Sequence, residues 1–343
     1  MNQAFSIGVD LGGTNLRIGA MRENGEFLET VSLPTRLAAG RDAVIADLGE
    51  AVIAMQKRHA CDGRCVGIGI GMPGPLELPA GVLRRPPNLP GWNGMDVRTA
   101  IEERLGQPIL LNSDGNLAAL AELRLGAGRA YGVASLCMLT LGTGVGSGIV
   151  LEGHIWQGMS GMAGEAGHIT VVPDGALCGC GSCGCLEQYA SATAVRRLAA
   201  EMAERFSQTA PQGRASQLAA SIAENPAFRS QDVAQWAEAG NREAAAVFEE
   251  VGKYLGLALA ALVNTLNLPL YVIGGGTAAA WPLFEQAMMR ELRERSYVFR
   301  ATDPAWRESS GPPVTRVVPA ALGSGSGLQG AALLPFAELR DQN

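Results

Sequence analysis

Between Gly164 and Tyr189 the chain places one histidine, four cysteines and two glutamates, in the order Glu165, His168, Cys178, Cys180, Cys183, Cys185, Glu187. A histidine followed ten residues later by Cys-x-Cys, and then by a further cysteine, offers the donors of a Cys3His tetrahedron. Zinc favours that mixture, and four protein ligands close the site, so the metal would be structural rather than chemical. Cys183 and Cys185 compete for the last position. The plain alternative is a glycine-rich loop with reduced thiols and no metal. No basic segment leads into an apolar run at the start, so a cytoplasmic chain with reduced thiols is expected, where clustered cysteines read as metal ligands rather than disulfides.

A second kind of chemistry sits in glycine turns. "FSIGVDLGGTNLRIGAMRENGEFLE" reads as strand, turn at Gly12, Gly13 and Thr14, strand, Asn24-Gly25 turn, strand. About 130 residues later "SLCMLTLGTGVGSGIVLEGHIW" repeats that grammar around Gly142, Thr143 and Gly144. "LPLYVIGGGTAAAWPLFEQ" adds a strand, a triple glycine that includes Gly275 and Gly276, and a helix with Thr277 as cap. Glycine turns of this kind let phosphate approach backbone N–H groups. Asp10 stands where a carboxylate could face Mg2+ through water. Asp114, in "LLNSDGN", lies between a strand and a helix and on its own reads as an N-cap. Gly69-x-Gly71-x-x-Gly74 and Gly179-x-Gly181-x-x-Gly184 match the dinucleotide fingerprint, but Pro73 and Pro75 bracket the first and cysteines fill the second, so neither is a nucleotide site.

The elements that must hold these groups alternate between strand and helix. A helix is expected near 41–59, a strand at 65–71 and a Pro/Gly-rich loop through "NLPGW" at 88–92. Then come a strand into the helix "NLAALAELRLGAG" and a mostly helical stretch from about 192 to 266 with a loop at "SQTAPQGRASQ". A chain of 343 residues, 47% hydrophobic, suits two domains. Its net charge of −6 disfavours nucleic acid and anionic membranes as partners. The most apolar helical run, "YLGLALAALVNTL", is short and broken by Asn264, so no membrane span is expected. Only Lys57 and Lys253 are lysines, and neither lies in a P-loop or a protein-kinase strand.

"DLGGTNLRIG", "LGTGVGSGIV" and "VIGGGTAAAW" resemble the first phosphate, second phosphate and adenosine motifs of the actin/hexokinase-like ATPases. "GMAGEAGH" followed by "CGCGSCGCLE" resembles the signature of the ROK family of repressors, open reading frames and kinases. The resemblance runs in order over nearly the whole chain. It implies a two-domain α/β, ribonuclease H-like fold, each domain a mixed sheet flanked by helices, with the active-site cleft between them. The division would be 1–115 plus about 326–343 against 116–325.

The resemblance further implies an ATP- and Mg2+-dependent sugar kinase. ATP would lie against Asp10, Gly12, Gly13, Thr14, Gly142, Thr143, Gly144, Gly275 and Gly276. The sugar would meet Asn88, Ser113, Asp114, Glu165, His168 and Glu187, with Asp114 as catalytic base. Structural zinc would sit on His168, Cys178, Cys180 and Cys185. One departure matters: most relatives carry Asn-Asp where this chain has Ser113-Asp114, with Asn112 one residue earlier. Glucose phosphorylation at the 6-hydroxyl is the leading expectation, with N-acetylglucosamine, N-acetylmannosamine or fructose as alternatives. Sugar-responsive regulators of the family carry a DNA-binding helix-turn-helix ahead of the first phosphate motif. Here that motif starts within ten residues of Met1, so the regulator reading is disfavoured. An actin-like or chaperone ATPase without a sugar is the third class, opposed by the sugar-side residues. A homodimer or homotetramer is expected from the family.

Overall fold

The opening apolar run forms β1 (Phe5–Leu11), turns at Gly12–Thr14 and returns as β2 (Asn15–Arg22), which pairs with β3 (Phe27–Pro34). The pairings β1–β2 and β2–β3 are antiparallel, as the Gly-Thr and Asn-Gly turns require. α1 (Arg41–Arg58) then leads to β4 (Cys65–Met72), parallel to β1. A small hairpin of β5 (Leu76–Glu77) and β6 (Val82–Leu83) follows, then α2 (Val97–Leu105), β7 (Leu110–Ser113), α3 (Asp114–Arg124) and α4 (Ala127–Tyr131). The sheet order is β3-β2-β1-β4-β7. A computed structural model of the chain describes residues 4–86, 88–209, 216–303 and 314–341.

Its contacts divide the chain into two units. The first comprises Met1–Met138, Ser147–Gly164 and Ala321–Asn343; the second comprises Leu139–Gly146 and Glu165–Ala320. The division at 115/116 and near 325 was drawn on motifs, and it stands as a proposal about which motifs share a domain. By contacts, 116–138 and 147–164 go with the first unit.

Helices cover both faces of the first sheet. On one, α1 buries Val44, Leu48, Val52 and Met55 in a core with Ile7, Val9, Ile18 and Ile70. On the other, α12 (Ser326–Asp341) joins Leu117, Leu120 and Met21 through Ala331 and Ala332. Central strands buried on both sides explain why β1 and β4 read as nearly unbroken apolar and glycine runs. The GxG of β4 has a packing cause: a Cβ on Gly69 would overlap the carbonyl oxygen of Ala331 in α12. The element directly after β4 is the short strand β5 rather than a helix, which fits the rejection of Gly69–Gly74 as a nucleotide loop. Gly69→Ala must push a helix backbone away, so it is expected to destabilise the chain by roughly 1–3 kcal/mol in urea unfolding. Unchanged stability would contradict this packing of α12 on β4.

The second sheet repeats the first. Its strands are β8 (Leu136–Leu141), β9 (Val145–Leu151), β10 (His154–Ile155), β11 (Leu270–Gly274) and β12 (Arg316–Pro319). The order β10-β9-β8-β11-β12 matches third-second-first-fourth-fifth in the other sheet; the repeated turn grammar predicts the first three strands of each. The helices of the second unit are α5 (Glu187–Ala190), α6 (Ala192–Thr209), α7 (Gln217–Glu224), α8 (Ser230–Glu238), α9 (Arg242–Leu266), α10 (Trp281–Arg295) and α11 (Tyr297–Thr302). The loop expected at "SQTAPQGRASQ" lies mostly outside the described residues; Ser207 and Gln208 end α6 and Gln217 begins α7.

One expectation is corrected here. Thr277 is not a helix cap. A 3-10 turn, Gly276–Ala280, intervenes between β11 and α10, and α10 starts after Ala280 with no side-chain cap. Among the described residues, no helix is long and apolar enough to cross a membrane.

Candidate active site

In the first unit, parallel strands β1, β4 and β7 carry their C-terminal ends to one edge of the sheet, with Asp10 opposite Gly71 and Met72 opposite Ser113. Open parallel sheets bind ligands beyond such ends. Asp10 lies at that edge, largely buried. Burial pushes its carboxyl above the usual range, and Arg17, 3.9 Å away, pulls it part of the way back. A divalent cation nearby would favour the ionised form more strongly, so this carboxylate fits a magnesium neighbour.

The 12–14 turn is held from behind. Thr35 N donates to Thr14 O at 2.8 Å and its hydroxyl donates to Gly12 O at 2.7 Å, while Gly12 N donates to Asn15 O at 2.9 Å. Among the described residues, the N–H groups of Gly13 and Thr14 have no acceptor, and Thr14 is exposed. Asn88, also exposed, borders this turn: a Cβ on Gly13 would lie 3.2 Å from its carbonyl oxygen.

Asp114 is the first residue of α3, and the cap is Ser113, whose Oγ accepts from Asn116 N at 3.3 Å. Asp114 itself is exposed, and its Oδ1 accepts from Gly115 N at 2.7 Å. Beneath it, Asn112 Oδ1 accepts from Ser113 N at 3.0 Å and from Asn116 Nδ2 at 2.9 Å. This pair ties the end of β7 to the first turn of α3. Asn116 was not singled out by the sequence pattern, though its spacing of four from Asn112 across a helix start is a usable signal.

In the second unit the 142–144 turn is pinned in the same way. Ala192 N donates to Gly142 O and the Thr193 hydroxyl donates to Thr143 O, both at 2.8 Å. Among the described residues, the Thr143 and Gly144 N–H groups have no acceptor. Gly275 follows β11 at φ +86, and a Cβ on it would overlap the Leu141 backbone, so a side chain is excluded both by conformation and by space. Beside it Gly276 and Thr277, with Gln231, Gln235 and Phe248, line a cavity of about 140 Å3. The Thr277 hydroxyl is buried with no hydrogen-bond partner, a group that a bound ligand could satisfy. Nothing in the sequence pattern pointed to α8 here, because some forty residues separate it from the triple glycine.

The cysteine segment is laced to itself. Val171 N donates to Gly184 O, Leu186 N to Ile169 O, and Ala176 N to the Tyr189 hydroxyl, at 2.8–2.9 Å. His168, Cys178, Cys180 and Cys185 offer ligand atoms all within 4.8 Å of one another. His168 Nδ1 is 3.6 Å from Cys178 Sγ, and Cys180 Sγ is 3.7 Å from Cys185 Sγ. Ligands at about 2.0–2.3 Å from one zinc stand about 3.3–3.8 Å apart in a tetrahedron, so the donor set fits that metal. Cys183 is exposed and lies outside the group. Burial, helped by the neighbouring thiols, pushes the Cys185 thiol up to about 12; a coordinated cation reverses that balance.

The two carboxylates differ. Glu187 Oε2 accepts from Val145 N at 3.1 Å and its Oε1 lies 3.6 Å from Cys178 Sγ, so it joins the 142–144 turn to the cysteine cluster. A Cβ on Gly144 would overlap this carboxylate. Glu165 lies 3.9 Å from His168 Nε2. The desolvation of Glu165 pushes its carboxyl above the usual range; the Glu187 charge adds to this and His168 opposes it. Nδ1 is turned to the Cys178 thiol, and Nε2 faces Glu165 at a distance longer than a hydrogen bond.

A family model described as "ROK family" matches residues 6–337. The chain belongs to the ROK family. This ROK chain is 36% identical over 282 residues to a glucokinase of Halalkalibacterium halodurans, covering 82% of both. Among solved structures it is similar to a ROK hexokinase from Thermus thermophilus, at 33% identity and a TM-score of 0.76, covering 98% of this chain and 99% of that one. It is also similar to a ROK glucokinase from Streptomyces griseus in complex with glucose and AMPPNP. There the identity is 30% and the TM-score 0.75, with 99% and 100% of the two chains covered.

Proposed function

We propose that this chain transfers the γ-phosphoryl group of ATP to the 6-hydroxyl of a hexose, glucose first, giving glucose 6-phosphate. The similarity to glucokinases over most of both chains carries this reading, one of them holding glucose and a nucleotide analogue. The geometry described above supports it from the residues upward. In the first unit the N–H groups of Gly13 and Thr14, and in the second those of Thr143 and Gly144, are offered to phosphate oxygens. Gly275, Gly276 and the cavity at Thr277 take the adenosine, and Gly12 and Gly142 shape their turns. Asp10 would hold the magnesium ion, which would supply charge neutralisation when bound.

Asp114 orients the 6-hydroxyl and accepts its proton as the oxygen bonds to phosphorus and ADP leaves. The transition state is loose, so position matters more than basicity. Asn88, Ser113, Glu165, His168 and Glu187 hold the sugar hydroxyls. His168, Cys178, Cys180 and Cys185 would hold structural zinc, whose contribution when bound is to fix the loop that carries these groups. A cytoplasmic location and a homo-oligomer belong to the same proposal.

Sugar identity is tested by ADP release over glucose, mannose, galactose, allose, fructose, N-acetylglucosamine and N-acetylmannosamine. Glucose is expected to give the highest kcat/KM; another sugar in that place would overturn glucose while leaving the kinase reading. Ser113→Asn sharpens the test. Asparagine caps a helix as well as serine does, so α3 should persist. An amide that must donate and accept penalises a wrong epimer by roughly 1–3 kcal/mol, more than a rotating hydroxyl does. The variant is therefore expected to raise the glucose preference over one epimer by about tenfold. Identical ratios for glucose, mannose, galactose and allose in both proteins would mean that Ser113 only caps the helix.

A further inference from the structure

Within the first unit, a cavity of about 530 Å3 involves none of the residues assigned above. It is lined by apolar Leu120, Leu123, Val133, Leu333 and Phe336 and by charged Arg124, Arg129, Arg340, Glu23 and Glu152. Arg340 is committed to Glu23, with Nη2 at 2.6 Å and Nε at 3.0 Å from Oε1. Arg124 donates from Nη2 to Gly153 O at 3.1 Å, which fixes the side chain without cancelling its charge. Arg129 is exposed, and no acceptor or carboxylate partner is present for it among the described residues.

An adjoining cavity of about 440 Å3 shares Glu23, Asn24, Phe336 and Arg340 and adds Arg22. The Arg22 Nη1 is buried with no hydrogen-bond partner. Such a donor is costly to leave unmade. Guanidinium forks match oxyanion geometry, phosphate above all. Arg124 and Arg129 on this cavity and Arg22 on the adjoining one have no carboxylate partner among the described residues, and Glu152 is the carboxylate set against them, so the excess of positive charge matches a phosphate monoester of about −1.5 to −2. The apolar side chains in the lining, Leu120, Leu123, Val133, Leu333 and Phe336, suit an apolar body on that phosphate.

Two helices connect this cavity to the reacting end of the unit. α3 begins at Asp114 and puts Leu120, Leu123 and Arg124 on the cavity, about 15 Å along at 1.5 Å per residue. α12 starts beside Asp10, where a Cβ on Gly327 would be 3.5 Å from the carboxylate, and brings Leu333, Phe336 and Arg340 to the cavity. The two helices touch backbone to backbone, since a Cβ on Gly330 would overlap the Leu117 carbonyl. Close packing transmits displacement rather than absorbing it.

We propose that this cavity is a second ligand site, for a small phosphate ester with an apolar body, and that its occupancy alters turnover through α3 and α12. The binding half stands apart from the kinase reading; the turnover half rests on it. The probe is phenyl phosphate, titrated calorimetrically into the full chain, with and without saturating glucose and a non-hydrolysable ATP analogue. One site is expected, its affinity retained with the analogue present and weakened at least about tenfold by the exposed Arg129→Glu. Inorganic phosphate and phenylacetate should each bind at least about tenfold more weakly, having lost the apolar body or the second charge. Saturating probe should change kcat for glucose by about fivefold in the wild type and not in Arg129→Glu.

Absent binding, displacement by the analogue, or equal affinity in Arg129→Glu would overturn the site. Equal affinity for inorganic phosphate or phenylacetate would overturn its ligand class. Binding with unchanged turnover would overturn the coupling, whereas a chain that phosphorylates no sugar yet binds the probe as described would fail the kinase reading alone.

Discussion

Asp114→Asn is expected to lower kcat at least about 10²-fold, the scale of a general-base contribution, with KM for the sugar little changed. The substitution keeps the shape of the side chain. Its Oδ1 can still accept from Gly115 N, and Ser113 rather than Asp114 caps α3, so the helix start should be intact. What disappears is the proton acceptor at the end of β7. Thermal unfolding of the variant should coincide with that of the wild type, which separates a chemical loss from a folding loss. Near-normal turnover would assign the base elsewhere and leave Asp114 as a sugar ligand.

Loss of metal is the second large effect. Purified protein should carry about one zinc per chain by elemental analysis, as a single four-ligand site requires. Cys180→Ser should lose that metal and at least about tenfold of kcat/KM, the scale on which displaced supporting groups act. The route runs through particular bonds. Without a pinned Cys178, Glu187 loses its neighbour at 3.6 Å, and with it the restraint on Val145 N that shapes the 142–144 turn. Glu165 and His168 stand on the same segment. The exposed Cys183 lies outside the four-ligand group, so Cys183→Ser should keep both metal and activity. Full activity in a metal-free protein would contradict the structural role of zinc.

Glycine turns and the cysteine spacing were legible in the sequence because each is local: a strand, a turn and a returning strand occupy about twenty residues and leave a pattern. The first three strands of each sheet were legible for the same reason, as a repeat of that pattern; the places of the fourth and fifth strands were not. Long-range contacts were not. Glu187 accepts from Val145, 42 residues earlier, and no periodicity marks such a pair. The cavity at Thr277 draws on α8, and the triple glycine carries no trace of it. Thr277 itself misled: a threonine after glycines and before a helix reads as a cap, but a five-residue 3-10 turn takes up that space and buries the hydroxyl. Ser113 carries a second role that its spacing did not show. Its place beside Asp114 suggested sugar contact alone, while its hydroxyl caps the helix that Asp114 begins.

The most direct test of the account is to incubate the chain with ATP, Mg2+ and 13C-labelled glucose and read the product by 31P and 13C NMR. The expected result is one equivalent of ADP per glucose consumed, with phosphorus coupling at carbon 6 alone. ADP released without any sugar ester, or phosphate at another carbon, would contradict phosphoryl transfer to the 6-hydroxyl.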